Sequence, residues 1–222
     1  MSALSDFTGG GGSGGLILKR ELFTSSGTWT KSADLKGGQA WITAIGGGSS
    51  GNTAGSVLGG TSGAYIARFP VDISGTSSET VTIGAGGAAV PNDGSAAAGN
   101  AGSVSSFGAI VSLAGGLVPT TDSSYTGTFT TQNPGAGASD GSPRSPIPST
   151  LGAPIASSLG IIGDGGSGLL LDASGTKAGD AIAGPGGVGG IGYGAGGGGT
   201  IKFRGSGAGA DGAILVEWLE SV

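Results

Sequence analysis

Hydrophobic positions in this chain come in short alternating runs, and most of those runs end in glycine. Gln39-Ala-Trp-Ile-Thr-Ala-Ile45 leads straight into Gly46-Gly-Gly48, and Thr80-Val-Thr-Ile83 feeds Gly84-Ala-Gly-Gly87. Alternation with a period of two marks a half-buried β-strand. The same reading applies to Tyr65–Ile73, where Pro70 points to a sheet edge or a bulge. It also gives a pair of strands around Gly108, between Ser103 and Leu113, and a last strand over Ala213–Trp218. From Leu22 to Lys31 the pattern Phe-Thr-Ser-Ser-Gly-Thr-Trp-Thr reads as strand, glycine turn and strand. No long amphipathic helix is visible. The expected fold is mainly β, with almost no α-helix: a β-sandwich scaffold whose connections are glycine-rich, with long loops.

The glycine blocks have a period of their own. Gly184 to Gly199 reads Gly-Pro-Gly, Gly-Val-Gly, Gly-Ile-Gly before slipping at Tyr193 and ending in four glycines. A period of three fits neither helix nor strand, but it fits the polyproline-II type of helix, which rises about 3.1 Å per residue without internal hydrogen bonds. One edge of such a rod would carry Pro185, Val188 and Ile191, and the other two would be bare backbone. Buried backbone needs partners, and only glycine lets rods approach closely enough to bond side by side. The triplets recur at Gly163–Gly168, with weaker echoes at Gly46–Gly51, Gly59–Gly63, Gly84–Gly87 and Gly135–Gly141. The sequence therefore predicts stacked polyglycine-type helices, with Gly184–Gly199 as the organising stretch.

Composition sharpens this picture. Fifty-four glycines and nine prolines make up about 28% of 222 residues, a range that often signals disorder. Disordered chains, however, combine low hydrophobicity with high charge, whereas here charged residues are only 10% and mean hydropathy is positive. A folded chain is expected. It has neither cysteine nor histidine, which removes disulfides, thiolate metal sites and the commonest general base. Net charge is −5 with no basic run, so nucleic acid is not an expected partner. The N-terminus lacks a signal-peptide pattern, and no apolar run approaches the ~20 residues of a membrane span, so no membrane insertion is expected.

Chemical motifs are few. Gly84-Ala-Gly-Gly-Ala-Ala89 follows a strand and superficially matches a dinucleotide fingerprint, but Val90-Pro-Asn-Asp-Gly cannot begin the helix that a pyrophosphate requires. Asp164, Asp172 and Asp180 recur every eight residues without the alternating acids and closing Glu of a calcium loop, so turn-forming or solvated Asp is the better reading. No catalytic residue, cofactor or metal site is expected, and the chain does not read as an enzyme. Trp29, Trp41 and Trp218 lie in strand-like segments and are expected in the sandwich core.

Several segments, taken in order, resemble the glycine-rich adhesin domain of bacteriophage tail fibres and tail tips. They are Phe23-Thr-Ser-Ser-Gly-Thr-Trp-Thr-Lys31, Ala40-Trp-Ile-Thr-Ala-Ile-Gly-Gly-Gly48, Gly63-Ala-Tyr-Ile-Ala-Arg68 and Thr80-Val-Thr-Ile-Gly-Ala-Gly-Gly87. Ser105-Ser-Phe-Gly108, Ala114-Gly-Gly116 and Gly209-Ala-Asp-Gly-Ala-Ile-Leu-Val-Glu-Trp218 complete the series. The resemblance covers most of 22–116 and about the last fifteen residues. It implies a receptor-binding protein of the virion, acting at the exterior of the host bacterium. Loops joining the glycine helices would contact a cell-surface receptor such as lipopolysaccharide, an outer-membrane protein or a pilus. The chain departs from the pattern in its sparser glycine over 117–160 and in having only a short N-terminal arm.

On this reading residues 1–21 form an attachment arm, and 22–222 form the adhesin domain, with 116–212 carrying most recognition loops. Aromatic residues and arginine are enriched at binding hot spots. The receptor-contact candidates in the inserts between glycine blocks are Asp122, Tyr125, Phe129, Gln132, Arg144, Lys177, Tyr193, Lys202, Phe203 and Arg204. Leu16, Ile17 and Leu18 form a short apolar patch expected to dock into other tail proteins. Oligomeric state stays open, a homotrimer included. The alternative is a structural tail-tip or baseplate component without receptor contact, in which that patch is the functional surface.

Overall fold

The computed structural model describes residues 15–53, 59–93, 95–117, 155–157, 160–162, 189–190, 192–199 and 205–221. No helix occurs among them, and the fold is mainly β, as the alternation predicts. One sheet has the order β1-β10-β3-β4, built from β1 (Leu16–Phe23), β10 (Ala213–Ser221), β3 (Leu35–Ile45) and β4 (Tyr65–Asp72). The second has the order β2-β5-β6-β7, from β2 (Gly27–Thr30), β5 (Ser78–Thr82), β6 (Ser105–Phe107) and β7 (Val111–Leu113). Every pairing is antiparallel. A separate hairpin joins β8 (Ile155–Ser157) to β9 (Gly160–Ile162).

The two sheets bury one shared core. Ala40, Ile42 and Ala44 of β3 with Ile214, Val216 and Trp218 of β10 face Trp29, Val81, Phe107, Val111 and Leu113 of the second sheet. Trp29 lies edge-on to Trp218 with ring centroids 5.8 Å apart, and 5.6 Å from Phe107, a tilted geometry that aromatic quadrupoles favour. Trp41 departs from expectation. Its neighbours Ala40 and Ile42 point inward, so strand alternation turns it to the outer face, where it is half-buried beneath the Arg68 guanidinium, 5.7 Å from the ring centroid. Pro70 does lie on an edge strand, and the pairing of β3 with β4 also shifts register between Ile42 and Ala44. Arg68 takes a positive φ of 51° there, and its N–H donates to Thr43 Oγ1 at 2.9 Å.

β1 pairs with β10 along its whole length, from Leu16 opposite Ser221 to Phe23 opposite Ile214. The sheet thus begins at Leu16, and β1 crosses the boundary expected between residues 21 and 22. Leu16, Ile17 and Leu18 sit in an edge strand, all exposed.

Beyond the sandwich the glycine tracts form a bundle, and their hydrogen bonds give its order. Residues 46–53 leave β3, and their N–H groups donate in rotation to three neighbours. Gly46 and Ser49 donate to Ala64 and Thr61; Gly47, Ser50 and Thr53 to Ser103, Asn100 and Ala97; Gly48 and Gly51 to Ala210 and Gly207. Each step of three along this tract is a step of minus three along its partner, which makes these rods antiparallel to it. Its carbonyls accept in the same rotation from Gly116, Gly87 and Gly197. Tract 46–53 is therefore a central rod inside a ring of six, formed by 59–64, 194–199, 205–212, 84–90, 97–103 and 114–117. Adjacent ring members are bonded too, for example Gly60 to Gly197, Gly207 to Gly198, Gly209 to Gly87, Ser103 to Ala85, Gly102 to Gly116 and Ala64 to Ala114.

The organising tract is thus 46–53. Of Gly184–Gly199, the described 189–190 lie outside the ring, where Gly190 donates to Ala208, and 194–199 is one ring member. Gly135–Gly141 and Gly163–Gly168 lie outside the described residues. Close approach explains the glycines of the central rod. A Cβ on Gly46, Gly47 or Gly48 would fall on the carbonyl oxygens of Ala114, Ala85 and Ala195, respectively.

Candidate functional site

Sequence order and rod direction together decide which end of the bundle can present loops. Rods 46–53, 84–90 and 114–117 run outward from β3, β5 and β7, and rods 59–64, 97–103 and 205–212 return to β4, β6 and β10. Rod 194–199 runs antiparallel to 59–64 and 205–212, hence outward as well. The chain consequently leaves the described bundle at Thr53, Val90, Leu117 and Gly199, all at the end remote from the sandwich. That far end is the candidate functional site.

The rim there is fastened by a repeated two-point contact. Ser50 N–H donates to the Asn100 carbonyl at 2.9 Å while Asn100 N–H donates to Ser50 Oγ at 2.7 Å. Thr53 and Ala97 repeat this at 3.0 and 3.1 Å, as do Ser206 and Val90 at 3.0 and 2.9 Å. One hydroxyl thus satisfies an N–H, buried at Val90 and half-buried at Ala97 and Asn100, that a glycine at the same position would leave without this acceptor. Deeper in the bundle, Ser49 and Thr61 make the same exchange at 2.9 and 2.7 Å, and Leu117 N–H donates to Thr61 Oγ1 at 2.7 Å. Between rods 84–90 and 97–103 the chain turns through exposed Pro91, Asn92 and Asp93, and Asp93 Oδ1 accepts from Ser95 N–H at 2.8 Å. Val90-Pro-Asn-Asp-Gly is the sequence signal of that turn, and its exposed polar residues are a site element that the sequence reading left out.

The tract that mimics a dinucleotide fingerprint, 84–90, continues as an extended rod with no helix after it, so it offers no helix N-terminus to a phosphate. No group of three or more His, Cys, Asp or Glu fit for a metal ion occurs among the described residues. What the arrangement does supply is stiffness. The rods have almost no side-chain entropy to lose, and a rigid base lowers the ordering cost of a contact made at its tip.

Of the receptor-contact candidates, Tyr193 falls within the described residues. It is half-buried, flanked by Gly192 at φ 84° and Gly194 at φ 67°, and lies where rod 194–199 starts beside the Ile45 side chain. That is the sandwich end of the bundle, opposite the four exits. Asp122, Tyr125, Phe129, Gln132, Arg144, Lys177, Lys202, Phe203 and Arg204 lie outside the described residues, as do Asp164, Asp172 and Asp180. Lys202, Phe203 and Arg204 fall between the ends of rods 194–199 and 205–212 in sequence, and the candidates from 122 to 144 fall after the exit at Leu117. No protein-family model matches the chain, and no curated protein matches it either.

Proposed function

We propose that this chain is a bacteriophage tail receptor-binding protein that recognises the host bacterial surface without chemistry. One observation carries the reading: four chain exits, at Thr53, Val90, Leu117 and Gly199, gather at one end of a rod bundle whose members are bonded main chain to main chain. A scaffold of that kind gives its loops a rigid support, and binding residues concentrate in loops so held. The ordered resemblance to tail adhesins supplies the biological setting. Several copies on one virion would add avidity to a modest single contact.

The test is adsorption. Purified full chain should bind susceptible bacteria and block phage infection in competition. Exchanging segment 118–134 or 142–159 for that of a phage with another host should change the cells bound while leaving the melting temperature in place. Protein that folds but neither binds any host cell nor competes would instead favour a structural tail-tip component.

A further inference from the structure

The sandwich has a second surface that its core leaves uncovered. In the pairing of β1 with β10, residues directly opposite point to the same face. Phe23 lies opposite Ile214 and both face the core, so alternation places Leu16, Leu18, Arg20 and Leu22 on the outer face. On β10 the outer residues are Leu215, Glu217 and Leu219. Leu16, Leu18 and Leu22 are 58%, 49% and 37% exposed, and Leu215 and Leu219 are half-buried. Five leucines on two neighbouring strands, interrupted by one charged level, make an apolar surface with polar residues at its middle, the kind of patch that marks an interaction site.

Its charges say what fits over it. Along the strands the strip reads in three levels: Leu22 beside Leu215, Arg20 beside Glu217, Leu18 beside Leu219. A rotation about an axis parallel to the strands keeps every level at its own height. If the axis stands in front of the face, between β1 and β10, a half-turn lays β1 of one copy over β10 of the other. Leucine then meets leucine at the outer two levels, and Arg20 meets Glu217 at the middle one, each pair made twice. Glu217 is already turned to this side, with Arg68 Nε 3.2 Å from its Oε2. Continuing the sheet edge to edge through β1 would instead require a two-fold perpendicular to the sheet, which points the two bundles in opposite directions.

We infer that a second copy of this chain covers the outer face of the β1-β10-β3-β4 sheet, forming a two-fold dimer whose axis runs along the strands. Two-fold pairing is the commonest symmetry of soluble homo-oligomers, and facing sheets pack about 10 Å apart with strands nearly aligned. Both rod bundles then project from the same end of the dimer. The inference stands on the sheet alone and does not depend on what the bundle binds.

Light scattering of the full chain at micromolar concentration should give twice the 20.6 kDa protomer mass; a monomer or a trimer overturns the proposal. Leu18→Glu changes an exposed residue, so its strand spectrum should stay intact while the mass falls to that of one protomer. Arg20→Glu should weaken the dimer about tenfold or more by setting carboxylate over carboxylate, and unchanged dissociation would count against the register. The chain has no cysteine, so introduced thiols report geometry cleanly. Copies carrying Leu18→Cys alone, and copies carrying Leu22→Cys alone, should each be joined by a bismaleimide of about 10 Å reach, because an axis along the strands keeps both levels facing their own counterparts. Cross-linking at only one of the two positions, or at neither, refutes the arrangement.

Discussion

Phe107 and Gly87 are both buried, and they are held in opposite ways. Phe107 belongs to the sandwich, where side chains from two sheets fill the space between them and the backbone bonds stay within each sheet. Gly87 belongs to the bundle, where its N–H donates to Gly48 and its carbonyl accepts from Gly209, so that main chain is the filling. In the first region apolar area removed from water is the favourable term; in the second it is the satisfaction of buried polar groups. The two regions should therefore fail under opposite kinds of change. The sandwich suffers when side-chain volume is removed, the bundle when volume is added or a bond to its main chain is lost.

The largest effect is expected in the sandwich. Phe107→Ala leaves a cavity beside Trp29 and should cost about 3–5 kcal/mol in denaturant unfolding, whereas Phe107→Leu keeps most of the volume and should cost clearly less. Next comes Gly48→Ala in the central rod. A single methyl there meets the Ala195 carbonyl, with the Gly194 carbonyl also within 2.8 Å, and the rods must separate or distort. Overpacking of this kind costs about 1–3 kcal/mol, and Gly48→Ala belongs at the upper end because the obstacle is backbone rather than a yielding side chain. Ala88 faces water, so Ala88→Ser, also one heavy atom larger, should stay within about 0.5 kcal/mol. Equal melting temperatures for Gly48→Ala and Ala88→Ser would mean that the rods are not tightly bonded.

The same contrast explains what the sequence discloses. Strands are legible because their signal is local: Trp29, Ile42 and Val216 alternate with polar or outward residues, and a period of two needs no knowledge of partners. The use of glycine as backbone-to-backbone filling is legible from composition and from Gly-X-Gly triplets. Which rod lies at the centre is not legible. Tract 46–53 ends in Ser49, Ser50, Asn52 and Thr53, and rod 97–103 has two glycines in seven residues, so neither carries the strict triplet of Gly184–Gly192. The hydroxyls of Ser49, Ser50 and Thr53 replace glycine's advantage with bonds of their own, and that depends on which N–H stands opposite, which is a tertiary fact. Trp41 lies on the outer face for a related reason: its strand is legible in the sequence, but the inward phase is fixed by Ala40 and Ile42 meeting the second sheet. At the far end, the turn at Pro91–Asp93 has a sequence signature, whereas contact residues in the inserts have only their composition to mark them.

Two serines in neighbouring rods sharpen the comparison at smaller scale. Ser49 Oγ accepts the buried N–H of Thr61 at 2.7 Å, so Ser49→Ala strands that donor and should cost about 1–3 kcal/mol. Ser62 is 1% exposed, and its Oγ has no hydrogen-bond partner among the described residues. Removing a buried hydroxyl without a partner removes a desolvation cost, so Ser62→Ala should be neutral or stabilising in the same thermal melt. Similar losses at both positions would show that side-chain volume, rather than the two-point bond, is what these rods require.

The smallest expected effect concerns acid, and it separates the regions by which of them titrates. Within the bundle the exchanges at Ser49, Ser50 and Thr53 join main chain to hydroxyl, groups that carry no charge across the acid range. In the sandwich the Trp218 indole N–H donates to Glu220 Oε1 at 2.8 Å, and this bond, followed by one from Ser32 and the nearby Lys19 ammonium, holds the Glu220 carboxyl below its ordinary value. A carboxyl whose folded value is lowered stabilises the fold fully above the unfolded carboxylate range and loses that contribution as pH falls through the folded value. Trp218→Phe keeps most of the ring but removes the donor. Its stability deficit should therefore be largest near neutrality and shrink as the solution is acidified through the carboxylate range, whereas the Ser49→Ala deficit should keep its size over the same interval. A Trp218→Phe deficit that does not change with pH would mean that the indole contributes packing alone, leaving both regions blind to acid at these positions.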